Sequence, residues 1–235
     1  MFAKIKSTLK DNSFKLYTRP FELNILGVRA KSIIPDRFDD ELYVFYKTTK
    51  GKWHVHLYKI TTDPGTFWLA NPEIPQGTAI LRQGQYENAY ALGLHRGQYK
   101  ALVQVKPVTI IRDYNRNGLL DFNNGIPVTG LFGVNIHHAK KEGITYQVDR
   151  HSAGCQVFQD IADFTEFMTL CELHSRLYGN QFTYTLIDKR TIERTVLRRV
   201  LYAASFVTTL LAGFIIKRRY RKKKKGSKPK ARTTI

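Results

Sequence analysis

Residues 78–114, TAILRQGQYENAYALGLHRGQYKALVQVKPVTIIRDY, decide how the chain folds. Short runs of β-branched, aromatic and aliphatic residues alternate with Gly-containing turns. Evenly spaced short strands predict a mainly β fold, a sandwich or a barrel, and not βαβ units. Upstream, FKLYTRPFELNILGVRA reads as strand. ELYVFYKTTKGKWHVHLYKI reads as two strands around a hairpin at Lys50-Gly51-Lys52. His54 and His56 lie two apart, on one face of a strand, with no third metal ligand nearby. Downstream, apolar residues change to helical spacing. Ile161, Phe164, Met168, Cys171 and Leu177 form one stripe, which predicts an amphipathic helix over Asp160–Tyr178 closed by Gly179-Asn180. Gln181–Ile187 reads as a last strand.

The net charge of +19 is unevenly distributed. From Lys189 to the end there are sixteen basic residues and one acidic one, so the preceding 188 residues carry only about +4. A basic tail on a nearly neutral domain points to anionic lipid head groups as the tail's partner, and nucleic acid is not expected. Val200–Ile216 has no charged residue and ends at a Lys/Arg cluster, which favours a short transmembrane helix over an interfacial one. The larger basic cluster follows this helix. The positive-inside tendency then places the domain outside, periplasmic or extracytoplasmic, whereas a lone C-terminal span behind an N-terminus without the apolar run of a signal peptide would leave it in the cytoplasm. Phe2, Ile5 and Leu9 recur at helical spacing in a Lys-rich segment, read as an N-terminal arm, 1–13, or a helix lying on a membrane.

Residues 131–159, LFGVNIHHAKKEGITYQVDRHSAGCQVFQ, carry the chemistry. Phe132-Gly133-Val134-Asn135-Ile136 is β-prone and delivers His137 at a strand end. Ser152-Ala153-Gly154-Cys155 brings a thiol on a tight turn. Imidazole takes the thiol proton and the thiolate attacks a carbonyl. His137 is the candidate base, Cys155 the nucleophile, and a backbone carbonyl near His138 the group that orients the base. The amides of Gly154 and Cys155 are candidates for an oxyanion hole. The bland alternative is a buried thiol beside surface histidines. Cys171, on the apolar stripe, reads as a core thiol, and two cysteines are no disulfide framework. Asp113, Asn115, Asn117 and Asp121, with Gly118, match the first part of a calcium loop but lack its closing Glu. They are candidate Ca²⁺ ligands, or an Asn/Gly turn built from the same residues.

At His137 and Cys155 the sequence resembles the L,D-transpeptidase (YkuD-like) catalytic domain family. That family carries a strand ending in His, then a gap, then Ser/Thr-His-Gly-Cys. Gly133-Val134-Asn135-Ile136-His137 resembles its glycine–aliphatic–His strand. Ile60-Thr61-Thr62 and Asp63-Pro64-Gly65 resemble, more loosely, an earlier strand and turn. The resemblance spans about residues 40–160 and is sharp over 131–157. Ala153 stands where the family has His, and Val157 where it has Arg or Asn. The resemblance implies a YkuD-like β-sandwich/open-barrel catalytic domain, placed over 14–188; charge and hydropathy add a basic linker, 189–199, the transmembrane helix, 200–216, and a basic tail, 217–235. It implies peptidoglycan stem peptides as substrates, a Cys155 thioester and no required cofactor. It also implies substrate-binding positions at Ser152, Ala153 and Gly133. Transpeptidation, or hydrolysis as in a virus-encoded wall enzyme, would follow from the acceptor. A catalytically inactive wall-binding module and a membrane-active basic protein are the competing classes.

Overall fold

The computed structural model describes residues 1–122 and 125–201. The described residues fall into a first compact unit, residues 1–192, and a segment from residue 193 that belongs to a second. The first unit is mainly β. In chain order it holds α1 (Phe2–Asp11), β1 (Asn24–Arg29), β2 (Asp40–Lys47), β3 (Trp53–Thr61), α2 (Thr66–Ala70), β4 (Thr78–Leu81), β5 (Gly84–His95), β6 (Tyr99–Gln104) and β7 (Val108–Asp113). These are followed by β8 (Val128–Gly130), β9 (Ile136–His138), β10 (Gln156–Phe158), α3 (Ile161–Tyr178) and β11 (Phe182–Asp188).

Eight strands form a closed barrel in the order β1-β11-β5-β6-β9-β10-β3-β2, and β4-β7-β8 form a separate three-stranded sheet. Of the sandwich or barrel that the strand spacing predicts, the chain forms a barrel, and it is closed where the YkuD-like resemblance implies a β-sandwich or open barrel. Closure comes from the parallel pairing of the first and last strands, with Ile25 opposite Tyr184 and Val28 opposite Ile187. Such a contact has no local signature, because its partners are far apart in the chain. Closing also removes the unpaired edges that an open sheet would leave.

The predicted hairpin forms, with β2 and β3 in register from Asp40–Ile60 to Lys47–Trp53. The predicted helix is α3, and the Asp160 side chain caps it by accepting from the Ala162 N–H at 2.9 Å. Its Phe164, Phe167, Met168 and Cys171 join the barrel core with Tyr58, Tyr90, Phe158 and Tyr184. Leu177 departs from the predicted stripe and is exposed, while His174 is buried in its place. The His174 Nδ1 accepts from the Leu23 N–H at 3.0 Å, so a polar contact outranks periodicity at the last turn.

The N-terminal segment is a helix packed on the barrel and not a loose arm. Ile5 and Leu9 are buried against Leu26, Val28, Tyr43 and Phe45, and Phe2 meets Phe45 and Trp53 edge to face. The apolar stripe expected to face a membrane finds the outside of the barrel wall instead. Residues 189–201 are helical. The proposed transmembrane helix lies almost entirely outside the described residues, as does the basic tail. No helix among the described residues is long and apolar enough to cross a membrane.

Candidate active site

The parallel pairing of β9 with β10 sets Ile136 opposite Gln156 and His137 opposite Val157. Side chains alternate across a strand, so Gln156 and Phe158 face one way while Cys155 and Val157 face the other, with His137. Gln156 is fully buried and accepts from the Tyr184 hydroxyl at 2.7 Å, which pins the residue next to the thiol. Cys155 and His137 line one cleft of about 550 Å³, together with His138, Gly133, Ala153 and Gly154.

The thiol is held between two backbone groups. The Asn135 N–H donates to Cys155 Sγ and the thiol donates to the Gly133 carbonyl, each at 3.4 Å. His137 Nδ1 lies 2.8 Å from the carbonyl oxygen of His138. A carbonyl only accepts, so Nδ1 carries the proton and Nε2 keeps a free lone pair. The Tyr99 hydroxyl is 3.2 Å from the same Nδ1 and donates to the His138 carbonyl at 3.4 Å. His95 stacks on His137 with ring centroids 4.0 Å apart, and the Asn135 side-chain amide donates to His95 Nδ1 at 3.0 Å. Tyr99 also packs on the His138 ring at 4.1 Å. His95, Tyr99 and Asn135 therefore belong to this site. Sequence spacing could not find His95 and Tyr99, because the β5–β6 hairpin reaches His137 only through tertiary packing. Asn135 lay inside the motif but carried no distinguishing pattern.

The turn that carries the thiol needs glycine. Gly154 has φ +118°, and a Cβ there would lie 2.3 Å from the carbonyl oxygen of Ala79 in β4. Gly65 is equally constrained, with Asp149 backbone 2.0 Å from a would-be Cβ, and its N–H donates to the Ser152 carbonyl at 2.9 Å. Thr61 pairs with Val157. The Asp63-Pro64-Gly65 turn thus sits against the cysteine loop, which the sequence placed about ninety residues away.

Three assignments change. Ser152 does not line the cleft. It is fully buried, and its hydroxyl donates to the Cys155 carbonyl at 2.9 Å and accepts from the Gly154 N–H at 3.1 Å. It shapes the turn that carries Cys155, and its hydroxyl points into that turn instead of the cleft. The Gly154 N–H is consumed by that bond and is not free for an oxyanion. Val157 is buried with Phe38 and Val148 and does not line the cleft, so the position where the family has Arg or Asn faces an apolar cluster here. Ala153 and Gly133 do line it.

The candidate calcium loop spends its oxygens on its own amides. Asp113 accepts from Asp121 N–H at 3.2 Å, Asn115 from Asn117 N–H at 3.0 Å, and Asn117 from Leu119 N–H at 2.9 Å. Asn115 also contacts Asp121. Among the described residues no cluster of three or more His, Cys, Asp or Glu side chains converges as a metal site. His56 contacts Glu166 at 3.2 Å.

Electrostatically the resting site is neutral at its centre and positive at its rim. Burial, then His95, pushes His137 down to about 3. Burial, then Arg96, lowers His95 to about 4. Cys155 keeps part of its surface in the cleft, yet the protein packed around it pushes the thiol up to about 11, offset in part by the Asn135 N–H. Arg96, Arg112, Lys141 and Arg150 line the cleft against a single acid, Glu73. Iodoacetamide alkylation of Cys155 should accordingly rise about tenfold per pH unit from about pH 7 to 10 and level off only near 11. A plateau near pH 7, followed by mass spectrometry of the Cys155 peptide, would contradict a thiol protonated at rest. No family model, curated protein or solved structure matches the chain.

Proposed function

We propose that the chain is a cysteine acyl-transfer enzyme acting on peptidoglycan stem peptides, of L,D-transpeptidase or L,D-carboxypeptidase/endopeptidase type. The observation that carries the reading is the cleft shared by Cys155 and His137, with His137 Nδ1 fixed on the His138 carbonyl and Nε2 left as a base. The motif spacing described above adds the family resemblance. In the acylation step the Cys155 thiol would turn from the Gly133 carbonyl, and its proton would move to His137 Nε2 as Sγ bonds to the carbonyl carbon next to a D-amino acid centre. The developing oxyanion would be met by the Cys155 N–H, since the Gly154 N–H is engaged. The C–N bond then breaks and the leaving amine takes the proton from His137. An acceptor amine, or water, attacks the thioester and restores the thiol. Gly133 and Ala153 border the space in which the acyl chain would lie.

A second reading has a specific observation behind it. A thiol raised to about 11 beside an imidazole lowered to about 3 is poorly activated at neutral pH. This favours a silent wall-binding module with the same cleft. Under the first reading the proton moves only once substrate occupies the site. The membrane anchor at Val200–Ile216, with the domain on the wall side and the basic tail on anionic lipid, remains part of the proposal on sequence grounds alone. Incubating the full chain with a muropeptide digest separates the readings. The enzyme yields cross-linked dimers or shortened stems by liquid chromatography and mass spectrometry. An unchanged digest that nevertheless binds the chain would leave the silent module.

A further inference from the structure

Arg112 is a half-buried guanidinium on the cleft wall. In the β4–β7 pair it lies directly opposite Ala79, the residue whose carbonyl packs against Gly154. Arg112 therefore stands one strand away from the turn that carries Cys155. One of its amino groups donates to the Gly77 carbonyl at 3.2 Å, and the guanidinium lies 5.5 Å from the Phe132 ring. These contacts fix its plane and leave most of its five N–H donors unspent. No carboxylate among the described residues comes within 4.0 Å of it; Glu73 is near but exposed. Burial lowers the guanidinium pKa, so the charge is partly desolvated without an ion-pair partner. Such a group is stabilised by an anion from outside, and a planar fork matches a carboxylate. Arg96 and Arg150 add positive charge at the mouth, which would draw an anion in.

We propose that Arg112 is a specificity-determining residue that binds a carboxylate of the acyl donor and so positions the scissile carbonyl over Cys155. This rests on the stem-peptide reading above and names the group on the substrate that the cleft reads. A stem peptide offers two such groups, a C-terminal carboxylate and the α-carboxylate of a γ-linked D-glutamate. Arg112 acts by binding and takes no part in proton transfer.

The test is equilibrium binding to the full chain carrying Cys155→Ala, so that turnover cannot intrude. The probes are a dye-labelled L-Ala-γ-D-Glu-L-Lys-D-Ala as free acid, as its C-terminal amide and as its D-Glu α-amide, and also N-acetyl-D-alanine. One amidation should weaken binding about tenfold or more, and which one identifies the carboxylate. Arg112→Gln should weaken the free acid by the same factor and leave that amide unchanged, while Arg112→Lys should keep part of the preference. Equal losses for acid and amide in Arg112→Gln, or no loss, would overturn the inference and leave the stem-peptide reading standing. Arg112-dependent binding of N-acetyl-D-alanine with no binding of any tetrapeptide would keep the carboxylate site and remove the stem peptide. If none of the four probes binds, both fall. Unfolding curves of each variant check that the Gly77 contact is not needed for folding.

Discussion

Cys155→Ala should reduce stem-peptide turnover by on the order of 10³-fold or more while leaving the fold intact. The two readings of Cys155 diverge most at this substitution. As a nucleophile, its sulfur forms the bond on which every later step depends. As packing, it contributes two long contacts, to the Asn135 N–H and the Gly133 carbonyl, both at 3.4 Å, and a sulfur lying against the Phe38, Val148 and Val157 cluster, whose place the alanine Cβ only partly fills. Weak bonds of that length to a partly exposed side chain are worth about 1 kcal/mol at most. The variant should therefore unfold within about 2 kcal/mol of the parent, the two weak bonds and the sulfur's contact with the Phe38 cluster being lost while Gly154, Ser152 and Gln156 hold the turn. Initial rates on a purified muropeptide, paired with denaturant unfolding, check both halves. Retained turnover would remove Cys155 from the chemistry.

Arg29→Met should have the largest effect on stability, a loss of about 3–5 kcal/mol. Arg29 ends β1 and is almost fully buried. It pairs with Asp63 at 2.8 Å and donates to Thr62 Oγ1 at 2.9 Å, to the Thr62 carbonyl at 3.1 Å and to the Leu81 carbonyl at 3.0 Å. It thereby joins the barrel to β4 of the small sheet, and to the turn that docks on the cysteine loop. Asp40 lies in the same buried group, with its two oxygens accepting from Ala30 and Thr62 N–H at 2.6 Å each. Burial, then Asp63, pushes Asp40 up to about 8. Burial also raises Asp63, against the pull of Arg29. One guanidinium thus serves two carboxyl groups, and removing it leaves both without a cation in a dry site. Since Asp40 is raised in the folded state, the fold holds a proton that the unfolded chain releases between about pH 4 and 8. Its contribution to stability is therefore full at the acid end of that window and declines as pH rises. In Arg29→Met the decline should steepen, because the cation that favours the charged forms is gone. Urea unfolding at about pH 5 and pH 8 measures it. A loss under about 1 kcal/mol would mean that water enters and supplies the hydrogen bonds of the missing guanidinium to Asp63 and to the Thr62 and Leu81 carbonyls.

Local patterns were legible in the sequence and long-range ones were not. The β2–β3 hairpin and α3 announced themselves through Lys50-Gly51-Lys52 and the 3.6-residue spacing from Ile161, since both signals lie within a few turns of chain. Barrel closure by β1 and β11 depends on pairing ends separated by more than 150 residues, which no local pattern encodes. In the site, Cys155 and His137 were visible because both sit in one short stretch. Ser152 looked like a ligand-facing hydroxyl by position in a motif, but only the turn geometry shows it consumed by Cys155 and Gly154. His95 and Tyr99 come from the β5–β6 hairpin and Arg112 from the small sheet, so their approach to His137 and Gly154 is a property of the packing. The N-terminal stripe of Phe2, Ile5 and Leu9 is legible as helical spacing, but a short Lys-rich segment with three apolar residues reads equally as a loose arm. What it would pack against could not be read, because a barrel wall and a lipid surface demand the same periodicity.

Trapping the acyl-enzyme tests the central claim most directly. The full chain is mixed with a stem tetrapeptide donor, quenched in acid and weighed intact, and the modified peptide is then mapped. The expected result is an increment equal to the donor minus its leaving D-amino acid, carried on Cys155, discharged by hydroxylamine and absent from Cys155→Ala. Stem-peptide turnover without any adduct on Cys155, or an adduct carried only by Cys171, would contradict a thioester mechanism at this site.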